Sequence, residues 1–190
     1  MRKMIICLLG LLWLALPGYA TVYSCNSVSD IRNAMAAANA GDEIVIDAGT
    51  YTASGVAVSG SSAYYYGSKN GTASNPITIR SASSSNRATL RGNDINSLTV
   101  LRIEGAYWVV KDLIITNGQK GLVFDNANHG HAINCAVHGT GNEAIHVRDG
   151  SDYVTIENCS VYNTGNDNAG FGEGIYIGTD KGSWSSYDPS

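Results

Sequence analysis

Three hexapeptides decide the fold: Val110-Lys111-Asp112-Leu113-Ile114-Ile115, Ala132-Ile133-Asn134-Cys135-Ala136-Val137 and Ile156-Glu157-Asn158-Cys159-Ser160-Val161. Written in register they are one pattern, with Asp112, Asn134 and Asn158 spaced by 22 and then 24 residues. A second set, Leu122-Val123-Phe124, Ile145-His146-Val147 and Ile175-Tyr176-Ile177, repeats at spacings of 23 and 30. Strand-sized apolar runs at this period, with no long helix between them, are the mark of a solenoid. The expected fold is all-β: a right-handed parallel β-helix, one coil per repeat.

Alternation within each short strand places Leu122, Phe124, Ile145, Val147, Ile175 and Ile177 toward the interior and turns Val123, His146 and Tyr176 outward. An Asp or Asn recurring at the same turn satisfies local backbone groups and can bond its equivalent one coil away. Asp112, Asn134 and Asn158 are therefore expected to form a structural ladder. Cys135 and Cys159 follow the ladder residue and are expected to pack inside, stacked beneath Leu113.

Upstream of the repeats, Ser27 to Ala40 reads as a helix. Ile31, Ala34, Met35 and Ala38 share one face, Ser27 or Ser29 can cap the start, and Gly41 can end it. A solenoid exposes its core at each end, so this helix is expected to be the N-terminal cap. The first strand is expected at Gly41–Ile46, a turn at Ala48–Tyr51, a polar loop containing Tyr64-Tyr65-Tyr66 from Ser59 to Asn75, and strands at Pro76–Arg80, Ala88–Gly92 and Thr99–Ile103.

Met1-Arg2-Lys3, the apolar run Met4–Leu16 and Pro17-Gly18-Tyr19-Ala20 have the layout of a secretory signal peptide, and the apolar run is too short for a membrane span. Cleavage after Ala20 would leave about 170 of the 190 residues and remove Cys7. The chain thus divides into a signal peptide, 1–20, and a β-helix domain, 21–190, destined for an extracellular or periplasmic location. Three cysteines remain, too few and too odd for a disulfide framework. Cys25 alone has no packing explanation in the repeat. Composition suits a secreted solenoid, with 22 glycines, 3 prolines and a formal charge of −4. It lacks the basic patch a nucleic-acid partner demands. Lys181 to Ser190 reads as a loop without a cap, so the chain is expected to be a fragment of a longer β-helix, since an open end exposes core and strand edges. A monomer is expected.

Gly41-Asp42-Glu43-Ile44-Val45-Ile46 through Gly49-Thr50-Tyr51, followed by Gly71-Thr72-Ala73-Ser74-Asn75-Pro76-Ile77-Thr78-Ile79, resembles the N-terminal region of secreted pectate-lyase-like β-helix proteins. Family 9 pectate lyases and the chondroitinase-B/alginate-lyase group open in this way. Gly172-Glu173-Gly174-Ile175-Tyr176-Ile177-Gly178 is similar to a stretch of secreted right-handed β-helix proteins. The resemblance implies a lyase of extracellular acidic polysaccharide, pectate or alginate, working by calcium-assisted β-elimination. A glycoside hydrolase on the same fold, with paired carboxylates as acid and base, and a non-catalytic glycan-binding solenoid are the alternatives. The catalytic residues of these groups sit on middle coils, some of which are expected beyond Ser190.

β-Elimination needs a group that neutralises the uronate carboxylate and a base for the proton beside it. The register projects Arg102, Val123, His146 and Tyr176 outward in one row and Glu104, Asp125, Arg148 and Gly178 in the next, with Glu143 and Glu173 entering from the preceding turn. Arg148 and His146 are the candidate catalytic groups, and Arg102 and Tyr176 the candidate substrate-binding groups, Tyr176 through its aromatic face. Glu104, Asp125 and Glu143 are the candidate oxygen ligands for Ca2+. The lengthened turn between Tyr162 and Gly174, carrying Asp167, Phe171 and Glu173, is the expected wall of the site, because long loops on rigid scaffolds bear function.

Overall fold

The computed structural model describes residues 20–182; the signal sequence expected at 1–20 lies, but for Ala20, outside the described residues, as does 183–190. The chain opens with β1 (Val22–Cys25) and α1 (Val28–Ala37) and then winds through repeating triplets of strands. These are β2 (Glu43–Ile46), β3 (Thr50–Ala53) and β4 (Ala63–Gly67), then β5 (Ile77–Ser81), β6 (Thr89–Gly92) and β7 (Thr99–Ile103). They continue with β8 (Trp108–Lys111), β9 (Ile114–Thr116) and β10 (Leu122–Asp125), then β11 (His131–Ile133), β12 (Ala136–His138) and β13 (Ile145–Arg148). The last described triplet is β14 (Thr155–Glu157), β15 (Ser160–Tyr162) and β16 (Ile175–Ile177).

Each strand pairs in parallel with its equivalent one coil away, giving three sheets in the orders β1-β2-β5-β8-β11-β14, β3-β6-β9-β12-β15 and β4-β7-β10-β13-β16. This is a parallel β-helix, and its pairing follows the sequence repeat. Val110, Ala132 and Ile156 are partners across the first sheet, and Ile114, Ala136 and Ser160 across the second. In the third, Leu122 pairs with Ile145 and Ile145 with Ile175. Leu101, Leu122, Phe124, Ile145 and Val147 are buried in the core. Ile175 and Ile177 continue that row but stand 44% and 75% exposed on the last described strand.

The corners rest on left-handed residues. Asp112, Asn134 and Asn158 have φ of 57°, 51° and 51°, a conformation that Asp and Asn tolerate better than most residues. Asn134 Nδ2 donates to Asp112 Oδ1 one coil away. A second corner uses Asn117, Gly139 and Asn163, and a third Tyr107, His129 and Tyr153, all at positive φ. In the third corner the rings themselves stack, Tyr107 on His129 at 4.5 Å and His129 on Tyr153 at 4.9 Å.

Four expectations need correction. The helix stops at Ala37 rather than Ala40, because Ala38 turns extended (φ −52°, ψ 137°). Asp42 then ties the exit, accepting from Asn39 N at 2.8 Å and Thr21 N at 2.7 Å. The cap at the other end is Ser27, whose hydroxyl accepts from Asp30 N at 3.1 Å, and Ile31, Ala34 and Met35 face the core. Cys25 is itself core, 1% exposed at the end of the unforeseen strand β1, and pairs with Ile46; burial pushes its thiol up to about 11. Tyr51 continues into β3 instead of leaving in a turn, its hydroxyl donating to Asp47 O at 2.9 Å. Tyr64-Tyr65-Tyr66 is no loop: it forms β4, with Tyr64 and Tyr65 fully buried. Aromatic residues favour strands, and the hydroxyls are served, Tyr65 donating to Tyr51 O at 2.8 Å and Tyr64 to Asp94 Oδ2 at 3.2 Å. Gly92 makes the room, since a Cβ there would come within 2.4 Å of the Tyr64 ring.

Candidate functional site

The outer face of the third sheet carries two charged networks side by side. In the register of β7, β10, β13 and β16, Arg102, Val123, His146 and Tyr176 are successive partners, and Asp125 is paired with Arg148. Asp125 is buried between two arginines, receiving Arg102 Nη2 at 2.6 Å and Arg148 Nη2 at 2.7 Å. Arg102 also reaches Glu104 Oε1 at 2.5 Å, and Glu104 Oε2 accepts from the Tyr66 hydroxyl. The chain Tyr66–Glu104–Arg102–Asp125–Arg148 therefore runs across four neighbouring strands. Burial alone would raise the Asp125 carboxyl, but a side-chain hydrogen bond with Asp149 and the two guanidinium groups hold it below the usual carboxylate range.

Beside this network lies a groove of about 510 Å³ whose floor and walls include Lys120, Glu143, His146, Arg148, Phe171 and Tyr176. Lys120 Nζ donates to Glu143 Oε1 at 2.7 Å and lies 3.1 Å from His146 Nδ1. An ammonium has only donors, so Nδ1 must accept and the ring proton sits on Nε2, which donates to Gly178 O at 3.0 Å. Burial lowers the His146 pKa and the Lys120 charge lowers it further, against the opposing pull of the Gly178 carbonyl and Glu143. His146 is thus a neutral imidazole with both nitrogens engaged. Tyr176 covers it, ring centroids 4.6 Å apart and tilted by 36°. Glu143 is 2% exposed, and its second oxygen, Oε2, is buried without a hydrogen-bond partner among the described residues.

The long turn after β15 forms the far wall. Thr164 Oγ1 donates to Gly172 O across its neck, where Gly165 (φ 70°) lies close against Gly172. Asn166 Nδ2 donates to Thr140 O at 2.9 Å, and Asn168 caps the single 3-10 turn Ala169–Phe171. Phe171 ends up 54% exposed at the groove lip.

Of the residues singled out in the sequence, Arg148, His146, Tyr176 and Glu143 meet at the groove. Arg102 does not line it; its guanidinium is committed to Asp125, Glu104 and Ser61 O. Both nitrogens of the His146 ring are engaged in this arrangement, Nδ1 with Lys120 and Nε2 with the Gly178 carbonyl. Lys120 was not anticipated. It stands two residues before Leu122, as Glu143 and Glu173 stand two before Ile145 and Ile175, so extending the aligned repeat by two positions exposes the column.

The expected calcium ligands do not fit one ion. Glu104 and Asp125 share Arg102, whereas Glu143 is paired to Lys120 in the neighbouring network. Each carboxylate already has its counter-charge, and among the described residues no three His, Cys, Asp or Glu side chains converge as a metal cage.

Residues 20–183 match the model of a family described as the Pel9A-like right-handed beta-helix region. Among solved structures, an alginate lyase from Paenibacillus sp. strain FPU-7 superposes with a TM-score of 0.81 at 40% identity, over 90% of this chain and 54% of that one. The PL6 family alginate lyase AlyGC gives 0.53 at 16% identity, over 84% and 26% of the two chains. Pectate lyase Pel9A gives 0.51 at 16% identity, over 76% and 47%. The last two likenesses are likenesses of fold. The chain spans about half the length, 54%, of the Paenibacillus enzyme. No curated protein matches the chain.

Proposed function

Since the chain belongs to the Pel9A-like right-handed β-helix family, we propose that it serves a polysaccharide lyase that cleaves uronate-containing chains by β-elimination, with alginate the first substrate. The observation that carries this reading is a groove holding two anchored cations, Lys120 on Glu143 and Arg148 on Asp125, next to an aromatic face. It is joined to 40% identity with an alginate lyase over 90% of the chain.

β-Elimination moves the proton beside a carboxylate to a base and expels the glycosidic oxygen. The described groove supplies the electrostatic part of this reaction, neutralising the carboxylate and the enolate-like charge that follows. Lys120 spends two of its three N–H donors on Glu143 and His146 and keeps one for a bound carboxylate. Arg148, anchored on Asp125, supplies the second cation; a guanidinium serves as an electrostatic clamp and not as a base. Neutral His146 acts on substrate through Lys120 and is a positioning residue. Tyr176 offers a face on which the C–H surface of a sugar ring can rest. Action outside the cytoplasm follows from the Met1–Ala20 signal pattern, and no helix among the described residues is long and apolar enough to cross a membrane.

The test is ultraviolet absorbance on alginate, pectate and chondroitin, with added calcium and then with a chelator. Absorbance from an unsaturated uronate on alginate is expected. New reducing ends without absorbance would replace the lyase by a hydrolase, and binding without either product would leave a glycan-binding solenoid. The two calcium arms read metal dependence directly.

A further inference from the structure

Away from the groove, the corner between the first and second sheets stacks two thiols, Cys135 and Cys159. Ala132 pairs with Ile156 and Ala136 with Ser160, so the two cysteines, each following a left-handed Asn, occupy equivalent places one coil apart. Parallel neighbours lie about 4.8 Å apart, inside the Cα separation of about 4.4–6.8 Å that a disulfide spans. The side chains also share one pose. Cys135 Sγ lies 3.4 Å from Ile133 O and 3.5 Å from Val110 O. Cys159 Sγ lies 3.3 Å from Glu157 O and 3.6 Å from Ala132 O. Each therefore faces the carbonyl two residues before it and one in the coil below. The next place in the stack is Leu113, and Cys25 sits at the far end of the first sheet on β1, so among the described cysteines only these two can meet.

We propose that Cys135 and Cys159 are a redox-active pair that closes into a disulfide between consecutive coils. Both are thiols in this structure, Cys135 buried and Cys159 half-buried, which makes Cys159 the sulfur an oxidant meets first. The hydrogen bond from the Cys135 thiol, with further help from Arg87, brings Cys159 down to about 6, while the same bond and burial push Cys135 up. Cys159 is accordingly the nucleophile. Its thiolate attacks one sulfur of a low-molecular-weight disulfide and expels the first thiolate. Cys135 then gives up its proton and attacks the Cys159 sulfur of the mixed disulfide, expelling the second. Two protein thiols are oxidised by two electrons, and one external disulfide is reduced to two thiols.

The bond would staple the coil of β11–β13, which carries His146 and Arg148, to the coil of β14–β16, which carries Tyr176. The test uses the whole purified chain, fully reduced and then incubated with oxidised glutathione, alkylated, digested and mapped by mass spectrometry. A linked Cys135–Cys159 peptide pair with Cys25 alkylated is expected, together with a rise of several degrees in the thermal midpoint that dithiothreitol reverses. Cys25→Ala should keep both signals, and Cys159→Ser should lose both. Alkylation of both sulfurs in the oxidised folded protein, a glutathione adduct persisting on Cys159, or a link made by Cys25 would overturn the proposal.

Discussion

The molecule builds the same ring pair on two of its sheets. His138 lies under Tyr162 on the second sheet, centroids 4.6 Å apart and nearly parallel at 10°. His146 lies under Tyr176 on the third, also at 4.6 Å but tilted by 36°. Both pairs join residues in register on consecutive coils. The first has one polar side-chain neighbour, Thr116 Oγ1 at 3.4 Å from Nδ1, and its Tyr162 is 53% exposed. The second is built into a network of Lys120, Glu143 and the Gly178 carbonyl and opens on the groove. The aromatic stack is thus a device of the solenoid, available on any sheet. What turns one copy into a site is the charge brought in from the turn before β10 and β13, and the long wall after β15.

The sharpest way to break this contrast is Arg148→Ala. Its removal should lower kcat for uronate cleavage by about 100-fold or more, the cost of deleting a charge-stabilising group, with the far-ultraviolet spectrum unchanged. Full activity in this variant would detach the groove from the chemistry. Lys120→Met comes next and is read in stability. It strands the buried Glu143 carboxylate, and removing one partner of a buried pair costs about 3 kcal/mol or more in denaturant unfolding. Tyr176→Ala should raise KM about tenfold with a smaller change in kcat, the size of a lost stacking face of about 1.4 kcal/mol.

Acidification gives a finer test. Burial holds both His146 and His138 below the ordinary histidine value. The unfolded chain therefore takes up protons first as pH falls through about 6.5, and stability drops from there until the folded pKa values are passed. His146→Gln should flatten this fall and leave a later one below about pH 4, where Asp125, whose pKa the arginines depress, finally protonates. The smallest effect belongs to the other stack. His138→Ala should change stability by less than about 1 kcal/mol and leave activity alone, as surface substitutions do. A large loss of activity there would erase the distinction between the two pairs.

Much of this was legible in the chain. The Asp112, Asn134 and Asn158 spacing gives the coil length, and alternation around Leu122, Ile145 and Ile175 gives the faces, because a parallel stack copies one register from coil to coil. Arg148 beside Asp125 and Tyr176 over His146 follow from that register. The misses have a common physical source. Tyr64-Tyr65-Tyr66 lies among serines and glycines, and its polar neighbours outweigh its strand preference in a local reading; Gly92 and Asp94, which make room for Tyr64 and receive its hydroxyl, lie far along the chain. Lys120 sits outside the apolar run that marks the strand, so its place shows only when the turn is aligned too. The pairing of Glu104 and Asp125 with Arg102 depends on side chains crossing between coils, which register brings near but does not orient.

The polysaccharide is expected on the face of the third sheet and not on the aromatic corners or the His138–Tyr162 stack. Hydrogen exchange of the whole chain with and without an alginate oligosaccharide measures this most directly. Slower exchange is expected in the turn at 163–174 and around β16, with none at 129–138 or 153–162. Protection confined to the Tyr107–His129–Tyr153 corner, or to His138 and Tyr162, would contradict it.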